Sequence, residues 1–170
     1  MAQIPDGIHI QLVDNVRDCD DVLMRTLEKE LRGDASSTPN GPVIIGLDAE
    51  WNRGSDSADL VQLASKYTVV LIRLYRMREC PIRLQKLLAS PALMKVGCRV
   101  SGDITRILKK FNLLSEITPR SIANLGTLCK DLGFVEKAQE GLQTLCSVVL
   151  NKFLPKEGSI RVNSYGQRII

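Results

Sequence analysis

The chain has 170 residues, of which 44% are hydrophobic and 25% charged, and it carries a net charge of +4 at pH 7. This length and composition predict a single globular domain with a core of its own. Only 4% of the residues are aromatic, which argues against a stacking platform for single-stranded nucleic acid. His9 is the one histidine, so a Ser-His or Cys-His catalytic pair is excluded unless His9 folds back onto a site.

The five cysteines form no Cys-x-x-Cys pair and are widely spaced. This pattern predicts reduced thiols in an intracellular protein, in the nucleus or the cytoplasm, and neither a disulfide framework nor a zinc site. No N-terminal signal is recognisable, and no apolar run reaches the length of a membrane span, so no membrane association is expected. No motif indicates a particular protein partner.

The predicted elements follow the order β-α-β-β-β-α-β-α-α-α, which indicates an α/β domain with a mixed sheet of about five strands and helices on both faces. Hydrophobic patterning predicts the strands at residues 8–13, 43–51, 60–64, 67–74 and 94–98. The strands at 60–64 and 67–74 are separated by two residues and predict a hairpin, so the three strands from 43 to 74 should form an antiparallel block.

Helices are predicted after a cap among residues 18–21, after Pro81, after Ser101, at 122–132 and at 142–153. Residues 33–42 are rich in Gly, Ser and Pro and predict a loop.

The apolar run that begins at Val43 ends in two carboxylates, Asp48 and Glu50. In a strand their spacing places both on one face, roughly 6–7 Å apart along the backbone. Two ionised carboxylates at this separation repel each other unless a cation lies between them, and hard divalent cations prefer such oxygen ligands. The alternative is a strand that becomes polar where it reaches solvent.

A second acidic segment contains Asp103. This residue follows a short apolar strand and a glycine-containing turn and lies in the first turn of a predicted helix. Acidic residues stabilise helix N-termini by ~0.3–1 kcal/mol, so a capping charge is one interpretation. A surface ion pair with Arg99 or Arg106 is another. A metal ligand is the third.

The two acidic segments together resemble a known family. The run Gly46-Leu47-Asp48-Ala49-Glu50-Trp51 resembles the first motif of the DEDD 3′→5′ exonucleases, in the branch that contains RNase D and the exonuclease domain of the Werner syndrome helicase. Asp103, within Gly97-(x)₄-Gly102-Asp103-(x)₄-Leu108, resembles the second motif. The resemblance covers residues 8–165, including the hairpin, the run 141–145 and the segment 156–165. It implies an RNase H-like fold.

The resemblance also implies a reaction, which is two-metal hydrolysis of the terminal phosphodiester at the 3′ end of DNA or RNA. The cofactors would be Mg²⁺ or Mn²⁺. Asp48 would bridge both ions, Glu50 would bind the ion that carries the attacking water, and Asp103 would hold the other ion. The backbone at Ala49 and the side chain of Trp51 would lie where the terminal nucleotide docks.

The chain departs from the family in its third motif, Tyr-Ala-x-x-Asp. Tyr165 has no aspartate four residues later, and the sequence reaches Ile170 without such a motif. Residues 1–170 are therefore predicted to form an exonuclease domain that is incomplete at its C-terminus, with three of four family carboxylates and impaired activity. Two alternatives stay open. One is a catalytically inactive nucleic-acid-binding or scaffold module on the same fold, and the other is a different RNase H-like nuclease or an integrase.

Overall fold

The computed structural model describes residues 7–32 and 43–154. Six strands are present, namely β1 (His9–Val13), β2 (Val43–Glu50), β3 (Leu60–Ala64), β4 (Thr68–Arg73), β5 (Leu93–Gly97) and β6 (Ile122–Asn124). The five α-helices are α1 (Val16–Arg32), α2 (Ile82–Ala89), α3 (Val100–Lys110), α4 (Leu125–Asp131) and α5 (Leu142–Leu150). A 3₁₀ turn, Leu74–Arg76, follows β4.

The six strands form one mixed sheet in the order β1-β4-β3-β2-β5-β6. Strands β2, β3 and β4 are antiparallel to their neighbours in sequence, as predicted. The pairs β1–β4, β2–β5 and β5–β6 are parallel. The predicted fold class, a mixed α/β sheet flanked by helices, is confirmed, and the carboxylate-bearing strand β2 lies in the interior of the sheet.

Alternation along β2 divides its residues between two environments. Ile45, Leu47 and Ala49 are buried in the hydrophobic core, which they share with residues of α1, α2 and α3 such as Leu23, Leu87 and Ile107. The opposite side of the strand carries Ile44, Gly46, Asp48 and Glu50, and this side is more accessible. Ile44 is 56% exposed. Strand β2 thus anchors the sheet through one face and presents its carboxylates on the other.

One predicted helix was wrong at its start. Residues 122–132 were expected to form a continuous helix, but residues Ile122–Asn124 pair with β5 as strand β6. Helix α4 begins at Leu125, and the side chain of Asn124 caps it by accepting a hydrogen bond from the Gly126 N–H at 3.0 Å. A three-residue strand is too short to show a period of two, so the apolar pattern of α4 led to a predicted helix that includes these residues.

Three helix ends also differ from the prediction. Helix α1 is preceded by Asn15, whose Oδ1 accepts from the Asp18 N–H at 2.9 Å while its Nδ2 donates to Asp18 Oδ2 at 2.7 Å. The cap therefore lies upstream of residues 18–21. Helix α3 begins at Val100, so Ser101 lies inside it. Helix α5 ends at Leu150 because Asn151 adopts a left-handed conformation with φ 48°.

The predicted loop at 33–42 and the segment 156–165, including Tyr165, lie outside the described residues. Within residues 7–32 and 43–154, no helix combines the length and the hydropathy that crossing a membrane requires.

Candidate active site

Strand β2 brings two of the three predicted carboxylates to one face at its C-terminal end. Asp48 lies opposite Gln62 of β3, and Glu50 lies opposite Leu60. Asp48 is exposed and Glu50 is half-buried. The Gln62 side-chain amide donates a long hydrogen bond of 3.5 Å to Asp48 Oδ2. The i, i+2 pair predicted from the sequence therefore forms, and solvent can reach it.

The third carboxylate, Asp103, arrives from the neighbouring parallel strand. Strand β5 pairs with β2 in parallel, so the two strands end at the same edge of the sheet. There the chain turns through Arg99, which is left-handed with φ 62°, directly into α3. The carbonyl oxygen of Arg99 accepts from the Asp103 N–H at 3.4 Å. The turn places Asp103 in the first turn of α3 on the side of the helix that faces the sheet.

Gly97 lets the end of β5 approach β2 closely, because a Cβ at this position would overlap the carbonyl oxygen of Leu47 in β2. We expect Gly97→Ala to lower the free energy of unfolding by about 2–4 kcal/mol, since the two strands would have to separate. At Gly102, five residues later, a Cβ would meet no atom of the described residues within 4 Å apart from its chain neighbours and the backbone of its own helix.

The matched variant Gly102→Ala should therefore change stability by less than about 1 kcal/mol and in the stabilising direction. Urea unfolding of both variants measures the difference. Equal stability of the two would contradict the close approach of Gly97 to β2.

Asp103 is buried, with 6% of its surface exposed. Its Oδ2 is fully buried and has no hydrogen-bond partner among the described residues. Burial chiefly, together with the negative charges of Asp48 and Glu50, raises the pKa of the Asp103 carboxyl to about 7, although Arg106 opposes them. A buried carboxyl oxygen without a partner is costly. The repulsion from Asp48 and Glu50 shows that the three carboxyls lie within electrostatic reach of one another.

These residues fit a divalent metal site in three respects. The donors are carboxylate oxygens, which Mg²⁺ and Mn²⁺ prefer. The Asp103 carboxyl is within electrostatic reach of Asp48 and Glu50. Its Oδ2 lacks, among the described residues, the partner that a cation would provide. However, no group of three or more His, Cys, Asp or Glu side chains in residues 7–32 and 43–154 is arranged so that it could hold an ion as it lies. That the three carboxyls converge within a few ångströms stays a prediction.

The two further residues expected near a substrate differ in their surroundings. The Ala49 side chain is buried in the core, 3% exposed, so only its backbone, in strand β2, is available near the carboxylates. Trp51 is half-buried at the start of the β2–β3 loop, and its ring is covered on one side by the guanidinium of Arg106, 4.0 Å from the ring centroid. Sequence reasoning placed Arg106 near Asp103 but gave no sign of this contact.

Sequence reasoning also missed that Cys98 interacts with Asp48 and with two other cysteines. Burial raises the pKa of the half-buried Cys98 thiol, and the charges of Asp48, Cys146 and Cys129 raise it further. Cys98 directly follows β5, while Cys129 and Cys146 lie on α4 and α5. Their wide spacing in the sequence hid this proximity. The positions of these three cysteines do not test the prediction that the protein binds no zinc.

Comparisons with known proteins agree with this fold. No protein-family model matches the chain. A protein of Acanthamoeba polyphaga mimivirus named "Putative 3'-5' exonuclease R431" is 25% identical over 127 residues, which cover 70% of this chain and 31% of the viral protein. The chain thus spans about a third of that relative's length.

Two solved structures are similar over nearly the whole chain. The exonuclease domain of EXD2, in a crystal soaked in Mn and GMP, gives a TM-score of 0.58 at 23% identity and covers 95% of this chain and 77% of that domain. The Aedes aegypti Nibbler EXO domain gives a TM-score of 0.69 at 19% identity, with 98% of this chain and 80% of that domain covered. The resemblance to 3′→5′ exonuclease domains that the two motifs indicated is confirmed in the fold.

Proposed function

We propose that this chain, which has the fold of the 3′→5′ exonuclease domains, hydrolyses the terminal phosphodiester at the 3′ end of a nucleic acid with the help of divalent cations. The observation that carries the proposal is the buried Asp103 carboxyl, which is within electrostatic reach of Asp48 and Glu50 and has an oxygen without a hydrogen-bond partner in the described part of the chain. A hydrolase that needs a metal site explains why a fold would keep three like charges together at the cost of stability.

Asp48, Glu50 and Asp103 would hold Mg²⁺ or Mn²⁺, and crystals of the similar EXD2 domain were soaked in Mg and in Mn. When bound, such ions supply an activated water and stabilise the charge on the leaving oxygen. The exposed Asp48 gives access from solvent, whereas the buried Asp103 must release its proton before its carboxylate can serve as a ligand. The protein's own contribution is to fix these oxygens on two rigid elements, β2 and α3.

Two arginines, each close in sequence to a proposed ligand, would attract a polyanion. Arg99 follows β5, and its guanidinium donates to the Gln139 carbonyl at 3.3 Å. Arg53, in the loop after β2, is exposed. Both lie close in sequence to a proposed ligand, so their charges favour an approaching phosphate backbone.

A second candidate function is favoured by a specific observation. The three side chains are not arranged to hold an ion as they lie, within the described part of the chain, and no Tyr-Ala-x-x-Asp motif occurs in the 170 residues. An inactive module on the same fold would bind nucleic acid through arginines such as Arg99 and Arg53 but would not hydrolyse it.

Incubation with a 5′-labelled oligonucleotide separates the two. We expect the 170-residue polypeptide to shorten the oligonucleotide stepwise from its 3′ end in Mn²⁺ or Mg²⁺ and to stop on addition of EDTA. The reaction should be slow because residues 1–170 contain no Tyr-Ala-x-x-Asp motif to supply a fourth carboxylate. Binding without any shortening, at high protein concentration and in both metals, would favour the inactive module. Shortening that persists in EDTA would contradict a metal-dependent site.

A further inference from the structure

The loop of residues 51–59 connects the strand that carries Asp48 and Glu50 to β3, and it is tied to the helix that carries Asp103. Arg106 makes two of these ties: its Nη1 donates to the Ser55 carbonyl at 3.0 Å, and its own carbonyl accepts from the Ala58 N–H at 3.1 Å. Arg106 therefore connects α3, which bears Asp103, to the loop that follows the strand of Asp48 and Glu50.

The same guanidinium also lies against Trp51, with its central carbon 4.0 Å from the centre of the ring. This is the distance of a stacked cation–π contact. Arg106 is one turn after Asp103 on α3, and Trp51 directly follows Glu50, so the contact bridges the residues next to two proposed ligands. One planar group thus stacks on an indole with its face while it donates a hydrogen bond with its edge, which an ammonium group cannot do.

The remainder of the loop is held from within. Asp59 is buried, and its Oδ2 accepts from both the backbone N–H and the side-chain amide of Asn52, at 3.0 and 2.7 Å. The Asp59 N–H donates to the Glu50 carbonyl at 2.9 Å. These bonds fix both ends of the loop. Its middle, residues 53–58, has bonds of its own between Ser55 and Ser57. It is held against α3 by Arg106 and Lys109.

A second cation on α3 provides an internal comparison. Lys109 Nζ lies 2.9 Å from Asp56 Oδ2 in the same loop, but the two side chains are 40% and 77% exposed. Exposed pairs of this kind contribute little. Arg106 and Lys109 therefore carry the same charge to the same loop, and only Arg106 touches Trp51.

We propose that Arg106 is a positioning residue: it fixes Trp51 and the loop 51–59 against α3, so that the half-buried indole forms a preorganised wall for the 3′ end of the nucleic acid. The inference rests on the proposed function and adds a residue that acts through Trp51. Arg106 strengthens the binding of nucleic acid mainly through the planar shape of its guanidinium, and less through its positive charge.

Trp51 is the single tryptophan of the chain, so its fluorescence, excited where tyrosine does not absorb, reports on this contact alone. We expect Arg106→Gln and Arg106→Lys both to increase acrylamide quenching of the metal-free protein, by roughly 1.5-fold or more, because the ring loses its cover. The matched variant Lys109→Gln should leave quenching unchanged. Circular dichroism of each variant verifies that the fold is retained.

Fluorescence anisotropy of a labelled single-stranded oligonucleotide, in EDTA so that no cleavage occurs, gives the second measurement. Arg106→Lys, which keeps the charge, should weaken binding about fivefold, whereas Lys109→Gln, which loses a charge, should weaken it less than about twofold. Arg106→Lys that binds and is quenched like the wild type would overturn the proposal. The proposal would also be overturned if Lys109→Gln bound the oligonucleotide as weakly as Arg106→Gln, since the loss of charge alone would then explain both results.

Increased quenching without a change in affinity would reduce Arg106 to a structural role and would equally overturn it. These results do not depend on hydrolysis. If no form of the chain shortens nucleic acid, the proposed activity fails, while quenching and anisotropy still decide the role of Arg106.

Discussion

Asp48→Asn is expected to lower the rate of metal-dependent 3′→5′ shortening by about three orders of magnitude or more. Asp48 lies on the central strand beside Glu50 and within electrostatic reach of Asp103. Its amide replacement keeps the shape but removes a negative ligand, and the loss of one such electrostatic contribution costs several kcal/mol of barrier. The assay is shortening of a 5′-labelled oligonucleotide over a series of Mn²⁺ concentrations.

The same comparison should be made in a longer polypeptide that carries a Tyr-x-x-x-Asp motif beyond Ile170, where a higher starting rate widens the measurable range. Asp21→Asn serves as the matched control, because Asp21 is an exposed carboxylate on α1. It should leave the rate unchanged. Shortening by Asp48→Asn at the rate of the wild type would mean that the site has been assigned to the wrong residues.

Asp103→Asn is expected to stabilise the metal-free protein at pH 8 by roughly 2 kcal/mol, or several degrees in Tm. The folded-state pKa of Asp103 is about 7, chiefly because of burial, against an ordinary value of 3.8. Between these values the folded state binds more protons than the unfolded state, so stability falls as the pH rises from about 4 to 7. Above pH 7 the folded protein bears the full cost of the buried charge, and asparagine removes it.

The stabilising effect should largely disappear near pH 4, where Asp103 is protonated in the folded state and nearly half protonated in the unfolded state. It should also shrink or reverse in Mg²⁺, because a cation that binds only the folded wild type raises its stability. Thermal unfolding at pH 4 and pH 8, with and without Mg²⁺, gives all four values. If the Asp103→Asn variant is less stable than the wild type at pH 8 without metal, the Asp103 carboxyl is not a buried group without a partner among the described residues.

The placement of Asp48 and Glu50 could be predicted because it depends on local pattern. An apolar run predicts a buried strand, and the period of two then places both carboxylates on one face. Asp103 was predictable as the first turn of a helix for the same reason. The burial of Asp103 was not, because it results from the packing of α3 against a strand more than 50 residues earlier in the chain.

Two further features lie beyond sequence reasoning for a related reason. Lys95 is fully buried, and its ammonium donates to the Ser90 carbonyl at 2.8 Å, whereas lysine in a strand predicts an exposed face. The contacts of Arg106 with Ser55 and Trp51 join residues about 50 positions apart. Periodicity and capping chemistry carry no information on contacts between residues so far apart in the sequence. Such contacts are determined by the order of the strands in the sheet.

The central claim is that Asp48, Glu50 and Asp103 together bind a divalent cation. Anomalous X-ray scattering from crystals soaked in Mn²⁺ at pH 8 tests it most directly, because Asp103 is then deprotonated and manganese is located without reference to any activity. We expect at least one anomalous peak about 2 Å from carboxylate oxygens of Asp48 and of Glu50 or Asp103, with the Asp103 side chain turned toward Asp48 and Glu50. Well-ordered carboxylates with no anomalous peak between them, or a peak bound by other residues alone, would contradict the claim.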